Sequence, residues 1–483
     1  MPSIVGLLDT MPATAGTKVR DSEAMDALAR NLQAYPTHQR VAGALFWMPV
    51  VVLYLIDEVG LARALQIQAV YYVAVVVLEV PSGWMSDRVG RVVTMRVAAA
   101  AWVGAHALFL LGGTPALVVA QVLLATGYAF LSGTDVTLHF DTLEALGRAD
   151  EFDDREARSR QGLLMVTAVT ALLGGVLAVG DLRLPFVAAL VAAVVQLGLT
   201  ARLVEPPRGD AATVGFRRDL VATVGHVRDP LLGWLAFYVA TQVVVVHLAA
   251  EFTGPYLLDV LDRPVDDPAE GAILVGVVAA VVALVGSIGV RAVPGVVRRL
   301  GLRSTLVIAA LVPVGVLVAM AATTAIWVVP ILAFRGVQGA ATSVLAPSVV
   351  GGRIEQHHRA TFLSITSLGG RLTHTVVLLA ISGAAADSIG DALTMAAVVA
   401  IGAWILTTLT RPLVRDFPRG LGHAHDHEHP AETHDHLHVH GDGHHDHDHD
   451  PPVAGAHRHE HVHAPVRHTH RHTRDVHHGH DHG

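Results

Sequence analysis

The sequence has no cysteine and only one lysine, Lys18. The absence of cysteine excludes disulfide bonds, thiol catalysis and thiolate metal ligands. The scarcity of lysine excludes a Walker A loop, whose lysine holds a nucleotide phosphate. Charged residues are also few, at 16%, whereas 52% of the 483 residues are apolar. Such a chain is too apolar for a soluble protein of this length, so we expect it in a lipid bilayer and expect neither an enzyme nor a nucleic-acid partner.

Long apolar windows are the dominant feature of the chain. A helix that spans a bilayer needs roughly 20 mostly apolar residues, and such windows follow one another from about residue 40 to about residue 410. The sequence therefore predicts an all-α membrane protein with twelve transmembrane helices in two six-helix pseudo-repeats. The predicted spans are 41–57, 61–82, 93–112, 115–136, 160–180, 184–203, 230–252, 270–291, 303–322, 325–346, 361–384 and 391–410.

Arginine is concentrated in the loops on one side of these spans. Short cytoplasmic loops collect basic residues, whereas external loops do not. The pattern predicts a multi-pass protein of the plasma membrane with both termini in the cytoplasm. The arginines assigned to cytoplasmic loops are Arg88, Arg91, Arg96, Arg148, Arg155, Arg158, Arg160, Arg298, Arg299, Arg303, Arg353 and Arg359.

Composition also divides the chain into segments. Apolar residues at helical spacing between Asp21 and Ala34 predict a short amphipathic helix on the membrane surface, which Pro36 is expected to end. A polar stretch with two adjacent prolines separates the first six spans from the second six. The expected segments are a cytoplasmic N-terminal segment 1–40, a six-helix half 41–204, a cytoplasmic linker 205–229, a second six-helix half 230–411 and a disordered tail 412–483.

A glycine- and arginine-containing motif lies between predicted helices 2 and 3. The stretch from Glu79 to Arg91 reads EVPSGWMSDRVGR, and it has a degenerate counterpart from Pro294 to Leu302, PGVVRRLGL. Glycine suits a tight turn, and a carboxylate there can pair with arginine or cap a helix. An internal echo of this kind is expected where two halves are repeated. The motif residues are Gly83, Asp87, Arg88, Gly90 and Arg91.

This motif closely resembles the signature between helices 2 and 3 of the major facilitator superfamily. The resemblance implies a transporter that works by alternating access, in which this loop clamps the cytoplasmic helix ends and tunes the switch between states. Two further runs are similar to a drug-efflux-like branch of that superfamily: Ser132 to Leu143 (SGTDVTLHFDTL) and Arg359 to Leu372 (RATFLSITSLGGRL). Members carry unrelated solutes, so the substrate does not follow from the resemblance.

Ionisable residues inside the predicted spans are candidates for transport or coupling. In helix 7, His247 and Glu251 stand four residues apart and share a face, which suits a metal-ligand pair or a proton relay. The alternative is that His247 donates to a backbone carbonyl and that Glu251 marks the outer interface. Glu251 is the first candidate for the proton carrier, and Asp135 is the second.

Helices 4, 10 and 11 contribute the other candidates. At the cytoplasmic end of helix 4, Asp135 and His139 share a face, and Asp141 follows. These groups either hydrogen-bond the neighbouring arginine-containing loop or bind a metal. The remaining candidates are Arg335, which is a possible partner of Glu251 or of an anionic substrate, and Arg371 with His374. His106 is interpreted as a satisfied packing residue.

The end of the chain changes character completely and holds 23 of the 31 histidines. Imidazole and carboxylate groups suit Zn, Ni, Co and Cu, and alternating histidines place ligands on one side of an extended chain. The tail is therefore expected to bind these metals, either for a biological purpose or as a passive metal and proton buffer, and no cofactor is otherwise required. The expected ligands are His423, His425, His427, His429, His434, His436, His438, His440, His444, His445, His447 and His449.

Together these features predict a proton-coupled secondary transporter, with an exporter expected. A divalent transition metal is one candidate substrate, and a small organic compound is the alternative. A membrane-embedded metal sensor or store that moves no solute is a further alternative. Lipid, protons and the small solute or metal ion are the expected partners.

Overall fold

The computed structural model describes residues 15–207, 223–262, 269–351, 353–354, 356–384 and 388–410, together with four strands in the tail. Three short 3-10 turns accompany the helices, at Ala149–Glu151, His226–Arg228 and Ile326–Val328. The helices are α1 (Ala15–Ala42), α2 (Val51–Val59), α3 (Leu61–Arg88), α4 (Arg91–Leu111), α5 (Thr114–Leu131), α6 (Thr134–Ala145), α7 (Phe152–Gly180), α8 (Leu184–Thr200), α9 (Pro230–Glu251), α10 (Thr253–Val260), α11 (Ala269–Leu300), α12 (Leu302–Ala322), α13 (Val329–Leu332), α14 (Arg335–Gly351), α15 (Gln356–Ala384) and α16 (Ile389–Thr410).

The prediction of an all-α membrane fold is confirmed. Within the described residues, ten helices are long and apolar enough to cross a bilayer, and α8 is a shorter apolar helix. The remaining predicted pass, 41–57, is divided between the end of α1 and the whole of α2. Two of the predicted spans also contain breaks: α5 stops before Gly133, which has a φ of 78°, and the span 325–346 is divided among a 3-10 turn, α13 and α14. A further break, between α9 and α10, lies at the end of the span 230–252.

The N-terminal helix differs from its prediction. Pro36 does not end it, because α1 runs from Ala15 to Ala42 with Pro36 inside. Leu28, Leu32 and Tyr35 are buried where α1 packs against α6, α7 and α8. Burial of this apolar face offsets the roughly 3 kcal/mol cost of a proline inside a helix. The N-terminal helix is therefore part of the packed bundle rather than a surface helix.

The helix ends that follow the two echoed motifs match each other. Gly90, with a φ of 144°, directly precedes α4, and Gly301, with a φ of 77°, directly precedes α12. Only glycine adopts such conformations without strain. Gly83 has no such role, because it lies inside α3. We call the end of the bundle with these two turns the arginine-rich face, and the other end the opposite face.

Within the described residues, the apolar core that the two halves share lies at the opposite face. One cluster of buried residues there combines both halves, for example Leu65 and Phe109 with Leu248 and Tyr256. Towards the arginine-rich face, the described residues form separate cores, one around Met95 in the first half and one around Leu306 in the second. The opposite face is therefore where the halves are joined most tightly.

Glycines allow a close backbone approach between the halves. Gly175 of α7 lies against Gly276 of α11, and a Cβ added to Gly175 would stand 2.6 Å from the carbonyl oxygen of Ala272. The same atom would stand 3.1 Å from the Cα of Gly276. Close backbone contact through small residues is the usual way in which membrane helices associate. This crossing is near the opposite face and belongs to the same closed end as the shared core.

The tail, predicted to be disordered, contains four seven-residue strands: β1 (His423–His429), β2 (Glu432–His438), β3 (His457–His463) and β4 (Val466–His472). They form two antiparallel pairs, β1 with β4 and β2 with β3. In the register, His425 is opposite His470 and His436 is opposite His459. Histidine alternates with other residues along these segments, and this period of two matches the alternation of side chains along a strand. The segments therefore differ from the predicted disordered tail.

Candidate functional site

The main polar cluster between the halves is centred on Glu251 at the end of α9. Its side chain is 4% exposed. The hydroxyl of Tyr72 donates to Oε1 over 2.8 Å, and Nε2 of Gln68 donates to Oε2 over 3.1 Å. Gln121 in turn donates to the side-chain oxygen of Gln68. Glu251 therefore joins α9 of the second half directly to α3 of the first, and through Gln68 to α5. All of its side-chain partners in the described residues are neutral.

Two histidines and Tyr72 lie next to this carboxylate. The rings of His247 and His374 have centroids 5.3 Å apart, and each ring also packs against Tyr72, at 5.4 and 4.6 Å respectively. Nδ1 of His247 lies 2.7 Å from the carbonyl oxygen of Val243. The predicted backbone hydrogen bond of His247 is therefore present, and His247 and Glu251 belong to one cluster.

No metal cage is formed by the core. Among the described residues, there is no group of three or more His, Asp and Glu side chains that would hold a metal ion. His247 and His374 form a pair, and the Glu251 carboxylate accepts from Tyr72 and Gln68. The arrangement suits proton exchange at Glu251 directly, and it offers two imidazoles for a ligand.

Arg335 does not pair with Glu251, contrary to one predicted possibility. Its guanidinium donates instead to the carbonyl oxygen of Ala249 over 3.2 Å and to the hydroxyl of Thr253 over 2.5 Å. These acceptors flank the break between α9 and α10, where backbone carbonyls lack helical partners. Arg335 thus stabilises the break between α9 and α10.

A second polar group lies nearer the arginine-rich face. Arg371 of α15 donates to the hydroxyl of Tyr128 over 2.9 Å, and its guanidinium carbon lies 4.9 Å from the centre of the same ring. Ser364 of the same helix donates to Glu79 of α3 over 3.3 Å. Gln68, Tyr72 and Glu79 share one face of α3 at helical spacing, so a row of polar side chains follows the interface.

The glycine and arginine motif forms a charged clasp at the arginine-rich face. Nε of Arg91 lies 2.6 Å from Oδ2 of Asp141. Glu205 caps the start of α4 by accepting from the backbone amides of Arg91 and Val92, each over 2.8 Å. Asp87 and Arg88 belong to the same turn and also have interaction partners. The clasp therefore joins the α3–α4 turn to α6 and to the start of the linker.

Asp135 and His139, the other candidates at the end of the fourth predicted span, lie in α6. They are inside the first half rather than between the halves. Asp135 accepts from Gln39 over 2.6 Å, and His139 pairs with Glu156 at 3.0 Å. Tyr35 donates to Glu156 over 2.9 Å and stacks on His139. Asp135 and His139 are close together, as predicted, but they tie α1, α6 and α7 to one another and do not face the cluster around Glu251.

His106 is not the satisfied packing residue that the sequence indicated. Its Nδ1 is buried without a hydrogen-bond partner in the described residues. The side chain lines a small, partly open pocket with Trp47, Trp102 and Gln196, beside the irregular segment that divides the first pass. The pocket lies inside the first half, away from the interface with the second.

The predicted metal ligands of the tail are only partly described. Seven of them, His423, His425, His427, His429, His434, His436 and His438, lie in β1 and β2. Five, His440, His444, His445, His447 and His449, lie outside the described residues. The register places histidines opposite one another, and metal binding remains a prediction.

Several site residues were missed by the sequence analysis. Gln68, Tyr72 and Glu156 become significant only through partners on distant helices. Glu79 had a usable signal, because it is a carboxylate inside an apolar stretch of α3. Glu205 lies in the predicted linker and shows no pattern of its own.

A bundle of apolar spanning helices in two halves, with a polar cluster between them, defines a multi-pass membrane transporter. The model of the Major Facilitator Superfamily matches residues 41–378, and the chain belongs to this family. It is therefore a transporter rather than an enzyme. No curated protein sequence matches the chain significantly.

Solved structures support the fold. The nucleoside transporter NupG is 13% identical with a TM-score of 0.60, covering 81% of this chain and 99% of that protein. A D-xylose-proton symporter is 13% identical with a TM-score of 0.59, covering 80% and 98%. An auto-inhibited peptide transporter of the POT family is 13% identical with a TM-score of 0.58, covering 82% and 99%. At these identities the likeness shows the fold alone.

Proposed function

We propose that this chain is a proton-coupled exporter of the plasma membrane and that Glu251 carries the proton. The observation that supports this proposal is a buried carboxylate between the halves whose side-chain partners, Tyr72 and Gln68, are both neutral. An ionised carboxylate without a counter-charge is costly in a membrane interior. Its protonation therefore changes when the interface opens to water, which links proton movement to the transition between states.

The orientation follows from the arginine distribution. The positive-inside rule assigns the arginine-rich face to the cytoplasm, together with both termini. Because the halves share their core at the opposite face, we take the described conformation to be the one that opens towards the cytoplasm. In this state an exporter would receive its solute from the cytoplasm, through the polar row that contains Arg371 and Glu79.

The charged clasp at the arginine-rich face is expected to control the rate of switching. Arg91→Ala or Asp87→Asn should reduce transport about tenfold or more. Each change removes a charged interaction that contributes about a few kcal/mol to one of the two transport states, so the equilibrium between the states shifts. Asp141→Asn should act like Arg91→Ala, since the two side chains are 2.6 Å apart. Initial transport rates in proteoliposomes, corrected for inserted protein, measure the effect.

A surface arginine provides the control for the clasp. Arg158→Ala, on the exposed side of α7, removes one positive charge near the same face without touching the clasp. It should leave the rate unchanged. Normal rates in both Arg91→Ala and Asp141→Asn would show that the clasp does not govern the switch.

Two observations favour different substrates. The histidine-rich tail and the pair His247 and His374 favour a divalent transition metal. Arg371 on Tyr128, with Glu79 nearby, favours a small organic solute and agrees with the resemblance to a drug-efflux-like branch. We place the metal first, because two separate histidine features support it. Proteoliposomes that move neither a metal nor an organic compound would instead support a sensor or store.

The tail is expected to bind metals in competition with protons. An imidazole must be neutral to bind a metal, and its usual pKa is about 6.5, so metal loading should be complete near pH 7 and be lost towards about pH 5. Tail peptide 422–483 should bind several Ni or Zn ions at neutral pH, as measured by isothermal titration calorimetry. Removing residues 412–483 from the chain should lower metal resistance and leave export of an organic compound unchanged. Unaltered resistance to Zn, Ni, Co and Cu would indicate a passive buffer.

A further inference from the structure

We propose that His247 and His374 are the two protein ligands of a transported divalent transition metal in the cytoplasm-facing state, an inference that rests on the proposed transport function. The two imidazoles belong to different helices, α9 and α15. Their centroids are 5.3 Å apart with a tilt of 48° between the rings. A metal held between them would be bound in the membrane interior, beside the proposed proton carrier.

His247 is oriented as metal-binding histidines usually are. Nδ1 lies 2.7 Å from the carbonyl oxygen of Val243, and a neutral ring that donates there leaves the Nε2 lone pair free. A hydrogen bond from one ring nitrogen to a carbonyl fixes the tautomer and orients the other nitrogen towards a metal. The residue is only partly buried, unlike His374.

His374 has a polar side chain without a side-chain partner. The residue is fully buried, at 0% exposed, and no described side chain hydrogen-bonds to either ring nitrogen, although the backbone of Val244 is close. A buried polar group in this condition is uncommon, and a bound ion would account for it. Because the chain has no cysteine, imidazole selects Zn, Ni, Co or Cu(II) here rather than a metal that requires thiolates.

The surrounding charges favour weak, releasable binding. Arg371 is one turn before His374, interacts electrostatically with both imidazoles and opposes a cation. Glu251 is one turn beyond His247 on α9 and attracts a cation when ionised, but Tyr72 and Gln68 hold its oxygens in this state. Water would complete the coordination sphere. A transported ion must leave its site, so two protein ligands and a nearby positive charge suit transport better than a closed cage would.

Site-resolved chemical protection tests the ligand pair in the full-length protein. Diethylpyrocarbonate acylates free imidazole nitrogens, and mass spectrometry reports each histidine separately, so the tail does not obscure the core. Ni²⁺ at neutral pH should protect His247 against modification. His226, a partly buried histidine outside the spans, should remain reactive and serves as the control.

The partner histidine supplies the decisive variant. His374→Gln should raise the Ni²⁺ concentration for half-protection of His247 about tenfold or more, as expected when one of two ligands is removed. If this variant unfolds, His374→Asn gives the same test with His247 again as the reporter. The pair is not a metal site if Ni²⁺ that fully protects the tail leaves His247 reactive, or if protection is unchanged in the variant. Proton coupling is measured separately through Glu251→Gln, so either idea can fail without the other.

Discussion

Replacement of Glu251 by Gln is expected to reduce proton-driven transport to the level of protein-free vesicles while solute exchange continues. The amide has the shape of the carboxyl group, and its one oxygen can still accept from Tyr72 although the bond that Oε2 accepts from Gln68 is lost, so most of the interface should remain intact. It cannot ionise, and the link between proton release and opening of the halves is therefore lost. Transport driven by an imposed pH gradient and exchange at equal pH should be compared in proteoliposomes.

The control for Glu251 is a carboxylate on the surface. Asp154→Asn on α7 removes an exposed acid and should leave both gradient-driven transport and exchange unchanged. If gradient-driven transport survives in Glu251→Gln, Glu79 is the next carrier to test, because it lies on the interface beside Ser364. Asp135, the second candidate from the sequence, is less suitable because it ties α1 to α6 inside one half.

The sequence predicted local features well. Helical spacing placed His247 and Glu251 on one face of a spanning helix, and Asp229 followed by Pro230 explains why α9 begins there, since the aspartate accepts from two backbone amides. The arginine motif predicted the clasp of Arg91, although its partner Asp141 was only one of several possible acids. These features depend on neighbours within a helix or a turn.

The sequence could not give the contacts between distant helices. Tyr72 and Gln68 are about 180 residues from Glu251, and a helical face does not specify which helix it will meet. The pairing of Arg335 with Glu251 was wrong for a related reason. The break after α9 presents the carbonyl of Ala249 as an acceptor, and this break is not visible in apolar windows. Pro255 and Gly254 were its only local signals.

The opposite face is closed in part by the contact between α7 and α11. Gly175→Val is expected to prevent this closure and to reduce transport of any solute to background. The added Cβ would stand 2.6 Å from the carbonyl oxygen of Ala272 and 3.1 Å from the Cα of Gly276, so α7 and α11 must separate. Because alternating access requires both closed ends in turn, a chain that cannot close the opposite face cannot complete a cycle.

Because the sequence has no cysteine, a single introduced thiol can report whether the opposite face opens. In the cysteine-free parent, Leu65→Cys introduces the only thiol at a position that is 0% exposed within the shared core. A membrane-impermeant maleimide added on the external side should label this thiol slowly in the parent and readily with Gly175→Val. Gly198→Val, at a glycine of α8 with nothing within 4 Å of an added Cβ, should change neither labelling nor transport. Unchanged labelling and normal transport in a correctly inserted Gly175→Val protein would show that this crossing does not close the external end.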